Sequence, residues 1–134
     1  IMKISEEEVA FVSEQESLEK GVSFIRDNSD IKILFVTLGN KGSIAYYKDE
    51  KIYCGGIHQE HVVDTTGAGD TFCGAVLSRI LELGTDALTE KDIREMLLFA
   101  NAAASIVVTR KGALCSMPEP EEIRAASSLI DKVL

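Results

Sequence analysis

Tryptophan is absent from the 134 residues, proline and histidine occur twice each, and cysteine occurs three times. Cys54, Cys73 and Cys115 are odd in number and far apart, so they suggest neither a disulfide framework nor a zinc knuckle; they are expected to be reduced packing residues. His58 and His61 flank Gln59-Glu60 in what reads as a connection, with no third ligand nearby in sequence, and this does not make a metal site. No apolar run approaches the ~20 residues of a membrane span, and Ile1-Met2-Lys3 has neither the basic region nor the apolar core of a signal peptide. Cations are scarce as well: 14 Lys and Arg stand against 22 Asp and Glu, a net charge of −8. An acidic surface attracts neither nucleic acid nor an anionic membrane, so any anion this chain holds must be held locally, by oriented amides and a few cations.

The length suits one domain, and a hydrophobic content of 46% is enough for a single core. Near the middle runs Val62-Val63-Asp64-Thr65-Thr66-Gly67-Ala68-Gly69-Asp70-Thr71-Phe72, followed by the amphipathic Ala75-Val76-Leu77-Ser78-Arg79-Ile80-Leu81. This reads as strand end, glycine turn and helix start. A helix N-terminus leaves its first N–H groups without partners and carries about half a positive charge, and the small residues Gly67, Ala68 and Gly69 let an anion come close. Asp70 is the odd member. A carboxylate beside an anion-binding turn repels the anion unless it has another task, and accepting the proton of a hydroxyl that attacks a phosphate is such a task. Neither familiar phosphate motif fits. The residues after Gly74 are Ala75 and Val76 rather than Lys and Ser/Thr, and Phe72 stands where a dinucleotide motif needs its third glycine.

Along the chain, residues 1–4 read as a buried strand already in progress, which implies that an N-terminal part is missing. Ser5 and Glu8 form a capping box that opens a helix through Val9, Phe11 and Val12. Leu18, Val22 and Ile25 mark one face of a helix over 16–27. The apolar run 32–36 predicts a central parallel strand covered on both faces, and 43–47 with 51–54 predict a hairpin that Gly55-Gly56 ends. After Asp70 a helix runs through Phe72, Val76, Ile80 and Leu83 to a stop at Gly84. Thr89 and Asp92 open a long helix whose stripe runs from Ile93 past Ala100 and Ala104 to Val107 or Val108. Pro120 starts a closing helix over 121–134 with Ile123, Leu129, Ile130 and Val133 mostly inward.

The segment Asp64-Thr65-Thr66-Gly67-Ala68-Gly69-Asp70 resembles the D-T-x-G-A-G-D signature of the PfkB (ribokinase-like) carbohydrate kinases. The resemblance implies that Asp70 is the catalytic base and that the amides of Gly67, Ala68 and Gly69 form an anion hole. Thr37-Leu38-Gly39-Asn40-Lys41-Gly42 resembles the family's T-L-G-x-x-G loop, which lines the nucleotide site, although a hairpin turn accounts for the same residues; Lys41 reads as a phosphate contact or a solvated loop lysine. Glu8 matches the end of the family's N-x-x-E motif, near Mg²⁺ and the phosphates, with Ser5 in place of the Asn; a cap alone is the other reading. The position matching Asn101 commonly contacts the base or ribose, and a helix-surface Asn is the alternative. Val108-Thr109-Arg110-Lys111-Gly112-Ala113 is similar to the T-x-x-G-A segment of a monovalent-cation site. Carried over, this gives side-chain ligands Asp64 and Ser116 and carbonyl ligands Thr66, Val107, Arg110 and Gly112, an oxygen set that suits K⁺. Arg110 and Lys111 equally read as charges at a helix C-terminus.

The fold so implied is α/β: a ribokinase-like three-layer αβα, Rossmann-like nucleotide-binding portion with a mostly parallel sheet and a β-hairpin. Residues 1–134 would be the C-terminal nucleotide-binding and catalytic-base half of a PfkB-type sugar kinase, with the N-terminal sugar-binding and lid half absent, and the isolated piece is expected to be inactive. The implied reaction is ATP-dependent phosphorylation of a sugar hydroxymethyl group, with ATP, Mg²⁺ and K⁺ as cofactors. S-E-E-E, T-L-G-N-K-G-S and D-T-T-G-A-G-D-T-F look most like fructokinases; ribokinase, 2-keto-3-deoxygluconate kinase and nucleoside kinase are alternatives. A reading from another class is a non-catalytic nucleotide-binding or subunit-interaction module. The expected partners are a nucleotide and a small sugar, without nucleic acid or membrane, with a homodimer allowed; the expected location is cytoplasmic.

Overall fold

The computed structural model describes residues 1–130. The inward positions expected at Leu129, Ile130 and Val133, and the helix beyond residue 130, lie outside the described residues and side chains.

The chain opens with strand β1 (Met2–Ser5), helix α1 (Glu6–Ser13) and helix α2 (Leu18–Asp27). The capping box holds: the Ser5 N–H donates to Glu8 Oε2 at 2.7 Å, and the Glu8 N–H donates to Ser5 Oγ at 3.1 Å. Helix α2 starts two residues later than expected, because Ser17, whose hydroxyl accepts from the Lys20 N–H, is its N-cap. Strands β2 (Ile33–Thr37), β3 (Gly42–Tyr47) and β4 (Glu50–Gly55) complete a sheet of order β1-β2-β3-β4. β1 pairs parallel to β2, whereas β2–β3 and β3–β4 are antiparallel. The hairpin supplies half of the strands, so pairing among the described residues is mixed rather than mostly parallel.

Alternation along β2 and β3 feeds two cores. Leu34, Val36, Ile44 and Tyr46 face α1 and α2, packing with Ile4, Val9, Val22 and Ile25. Ile33, Phe35, Ala45 and Tyr47 face the other side, under α3 (Ala68–Leu83) and α4 (Glu90–Val107), with Phe72, Val76, Met96 and Leu97. Three layers result, as expected. Phe35 and Phe72 lock strand to helix edge-to-face, with centroids 6.4 Å apart, and each large side chain taken out of water contributes about 1.5–3 kcal/mol. Helix α4 is the central column of this face. Thr89 and Asp92 cap it reciprocally, and its alanines at 100, 102 and 103 are wholly buried.

Some apolar residues of these helices face solvent. Phe11 and Val12 on α1 are exposed, and Leu83, the last residue of α3 before Gly84, is 43% exposed. Cys54 is buried and Cys73 half-buried, but Cys115 is exposed and is not a packing residue. Helix α5 (Pro120–Ile130) packs on α4 and buries Ile123. No helix among the described residues is long and apolar enough to cross a membrane.

Candidate functional site

The segment before the glycine turn is not a strand. Val62 and Val63 are 57% and 58% exposed, and the N–H groups of Val63 and Asp64 both donate to the Val108 carbonyl, at 2.8 and 3.2 Å. β-Branched residues favour a strand only where a ladder edge is free; here the chain crosses the end of α4 and hangs on a single carbonyl. Gly67 follows with φ +81°, and a Cβ there would stand 3.1 Å from the Ala113 methyl. Both facts call for glycine, and the second shows how closely the turn packs on the segment that follows α4.

Helix α3 then begins at Ala68. The N-cap is Gly67, so no side chain caps the first amides; the Ala68 N–H reaches only the Thr65 carbonyl, at 3.2 Å. Lys3 comes to this point from β1, and its ammonium lies 3.0 Å from where a Gly69 Cβ would be. One cation and an uncapped helix start therefore converge in a chain of negative net charge, the local arrangement that attracts an anion. Asp70 stands in the first turn of α3, exposed at its edge.

A cavity of about 460 Å³ extends from this turn. Ala68, Gly69 and Thr65 line one end with Lys3, Ser5 and Glu7; Thr37, Gly39, Asn40 and Gly42 form one wall, and 56–59 another. Asn101, Ala104 and Ser105 of α4 and Val108 at its C-cap line it, a spacing that keeps them on one face. Of the expected nucleotide-loop residues, Leu38 and Lys41 stay off the cavity wall. The Leu38 N–H donates to the Gly42 carbonyl at 2.8 Å, and the Lys41 carbonyl accepts from the Gly56 N–H and the Tyr53 hydroxyl at 3.0 and 2.7 Å. The Lys41 ammonium lies 3.8 Å from Glu6, in an exposed pair of little energetic weight.

The far end of the cavity rests on a close crossing. Gly42 (φ +109°) and Gly56 face each other with no space for a side chain: a Cβ on Gly56 would lie 2.9 Å from the Gly42 nitrogen, and one on Gly42 would lie 2.6 Å from the Gly55 carbonyl carbon. Asn101 is not a helix-surface residue. It is 7% exposed, accepts from the Ser43 hydroxyl at 2.9 Å, and donates to the carbonyls of Cys54 and Gly55 at 3.2 Å each.

The residues carried over for a monovalent cation meet on the other side of the turn. Asp64 accepts from the Thr66 N–H at 2.9 Å and the Gly112 N–H at 3.2 Å, and the Ser116 hydroxyl donates to the carbonyls of Gly112 and Ala113. Thr66, through its side chain and N–H, and the Gly112 N–H hold the Asp64 carboxyl below the usual aspartate range. A carboxylate, a hydroxyl and several carbonyls are thus gathered, which is the donor chemistry of a hard cation. The Val107 carbonyl already accepts from the Arg110 N–H at 3.0 Å, and the Arg110 guanidinium ties the Ser116 carbonyl to Glu122 of α5. Glu8 is engaged in the cap, where the Ser5 N–H, then its hydroxyl, lower its pKa; its neighbour Glu7 is the one on the cavity wall.

Lys3, Gly56 and the Ala104–Ser105 pair are not among the residues singled out from sequence. A lone charge inside the apolar Ile1-Met2-Lys3-Ile4 was a usable signal for Lys3, and the Gly55-Gly56 pair was one for the crossing. Asn101 marked the face of α4 that borders the cavity, and Ala104 and Ser105, three and four residues on, follow from helical spacing.

Comparison with known proteins agrees with this geometry. Residues 1–120 match the model of the "pfkB family carbohydrate kinase". The chain is 36% identical over 127 residues to the probable fructokinase-4 of Arabidopsis thaliana, covering 93% of this chain and 38% of that one. It is 38% identical over 125 residues to fructokinase-1 of Oryza sativa subsp. japonica, with 92% and 38% covered. Among solved structures, the fructokinase of Vibrio cholerae O395 in its fructose, ADP and calcium ion bound form superposes with a TM-score of 0.81 at 32% identity, over 92% of this chain and 39% of that one. The Arabidopsis thaliana ribokinase complexed with ribose and ATP gives 0.78 at 32% identity, over 94% and 40%. The chain thus spans about two-fifths of the length of the relatives it matches.

Proposed function

Because the chain belongs to the pfkB family of carbohydrate kinases, we propose that it is the nucleotide-binding and catalytic-base portion of an ATP-dependent sugar kinase, fructokinase-like in its acceptor. The observation that carries the reading is a single cavity joining two unlike ends. One end has Lys3 and the uncapped start of α3, suited to phosphates; the other is lined by glycines and the small-residue face of α4, suited to a flat base. Its 460 Å³ lies in the range of small-molecule sites.

In the proposed reaction a sugar hydroxymethyl oxygen attacks the γ-phosphorus in line. The new O–P bond forms as the bond to the ADP oxygen breaks, and Asp70, exposed beside Gly69, takes the hydroxyl proton on a carboxylate oxygen. The amides at the start of α3 and the Lys3 ammonium hold the charge on the transferring group. Mg²⁺ when bound neutralises phosphate charge; Glu7 on the cavity wall, with Glu8 beside it, would hold it through water. K⁺ would suit the oxygens of Asp64, Ser116 and Gly112, which the turn brings together, with the carbonyls of Thr66, Val107 and Arg110 as the further ligands the family resemblance implies; there it would brace the crossing of 62–67 with 108–113. That the chain resembles proteins named as fructokinases supports fructose as the acceptor.

Calorimetric titration of the chain with Mg-ADP, with and without K⁺, tests the reading. Saturable binding that tightens with K⁺ is expected. A chain folded by circular dichroism that takes up no nucleotide overturns it, and leaves a subunit-interaction module as the reading to pursue.

A further inference from the structure

We infer that Asn101 is a positioning residue, setting the base end of the cavity by clamping the open end of the β3–β4 hairpin to α4. This deepens the nucleotide-site reading and rests on it. The Asn101 carboxamide is already engaged: both donors go to the Cys54 and Gly55 carbonyls, and its oxygen accepts from Ser43. A side-chain amide has two N–H donors and one acceptor oxygen, so what remains for a base is one lone pair. The groups it grips are neighbours in one place. Ser43 and Cys54 are paired across the hairpin, and the next rung outward is Gly42 with Gly55.

From that rung the two cavity walls spring, one through 39–42 and the other through 56–59. Gly42 and Gly56 touch there without room for a Cβ, and the Gly56 N–H bonds the Lys41 carbonyl at 3.0 Å. The hairpin's own turn lies at the opposite end; at the cavity end this clamp adds to the packing of Ala45, Ile52 and Cys54 against α4, while the Gly42–Gly56 crossing holds the two walls to each other. Ser43 is wholly buried and lies off the cavity wall. Its hydroxyl hydrogen-bonds Asn101 at 2.9 Å, so removing that hydroxyl tests the clamp without altering a cavity-lining side chain.

The test compares the chain with Ser43→Ala, Asn101→Ala and the double variant, each checked for folding by circular dichroism, using Mg-ADP and inorganic tripolyphosphate as probes. Clamping predicts that Ser43→Ala weakens Mg-ADP binding about fivefold, the effect of one hydrogen bond, while tripolyphosphate affinity stays unchanged. It also predicts that the double variant loses less than the two single losses combined. A purely structural role would leave the ratio of the two affinities unmoved. If Asn101→Ala does not fold, Ser43→Ala decides alone. An unchanged Mg-ADP affinity in Ser43→Ala overturns the inference while the nucleotide reading stands; failure of the parent chain to bind Mg-ADP overturns both.

Discussion

Replacing Gly42 by alanine tests whether the crossing beneath the cavity is the rigid feature it looks to be. Gly42 has φ +109° and ψ −137°, where a side chain costs about 1–3 kcal/mol in backbone strain. Its new methyl would also overlap the Cys54 carbonyl oxygen and approach the Gly55 carbonyl carbon to 2.6 Å. These are backbone atoms, which cannot swing aside, so the crossing must open. Opening it loses the Leu38–Gly42 and Gly56–Lys41 hydrogen bonds, each worth about 1 kcal/mol. The sum is about 3–5 kcal/mol, a large part of the ~5–15 kcal/mol a domain has. Urea unfolding followed by circular dichroism should show the midpoint falling by roughly 2 M, given a slope of about 1–3 kcal/mol per molar. Gly74→Ala is the control. Gly74 is exposed inside α3 with nothing within 4 Å of a Cβ, so alanine there should stabilise by about 0.5–1 kcal/mol through helix propensity. A Gly42→Ala variant within about 1 kcal/mol of the parent, or equal losses at both positions, would refute the reasoning.

Gly69→Ala should keep the fold, because the atom in its way is the end of a flexible lysine at 3.0 Å, yet weaken tripolyphosphate binding roughly tenfold by displacing that ammonium; unchanged affinity would remove Lys3 from the anion site. Asp70→Asn should leave the Mg-ADP affinity of the chain within about threefold, since Asp70 lies off the cavity wall. In an enzyme joining this segment to a sugar-binding portion, the same change should lower kcat by about 10²–10⁴, and near-normal turnover there would end its assignment as the base. Thr89→Ala should destabilise by about 1 kcal/mol through loss of the α4 cap. Asp64, Asp92 and Glu8 have folded-state pKa values below their ordinary ones. The folded state therefore binds fewer protons than the unfolded one, and the stability they add is present above about pH 4 and lost as pH falls below it. Asp64→Asn should be less stable than the parent at pH 7 and lose less on acidification; equal losses in urea midpoint would mean that the contacts of Asp64 with Thr66 and Gly112 do not stabilise the fold.

Local chemistry made much of this molecule legible in the sequence. Ser5 with Glu8, and Thr89 with Asp92, are capping boxes because three residues span one turn, and both formed as read. The run Ile33-Leu34-Phe35-Val36 had no polar face to show water, so burial on both sides followed. Gly67-Ala68-Gly69 before an amphipathic stretch announced a helix start that an anion can approach, and its spacing from Asp64 and Asp70 marked the family. Val62 and Val63 show where that kind of reading stops, because their β-branching describes a preference and not whether a sheet edge is waiting. Asn101 read as a surface residue or a base contact, since no sequence pattern reports that Ser43 and Cys54 lie within reach of it. Lys3 looked like one charge in a short strand until the fold brought it beside Gly69. The sequence by itself determined the helices, the strands and the small-residue turn, since these depend on neighbours within a few positions along the chain. Only the tertiary structure decided which side chains share the cavity, because residues 3, 42, 56, 69 and 101 meet through packing against a common sheet, across distances along the chain that no local rule spans.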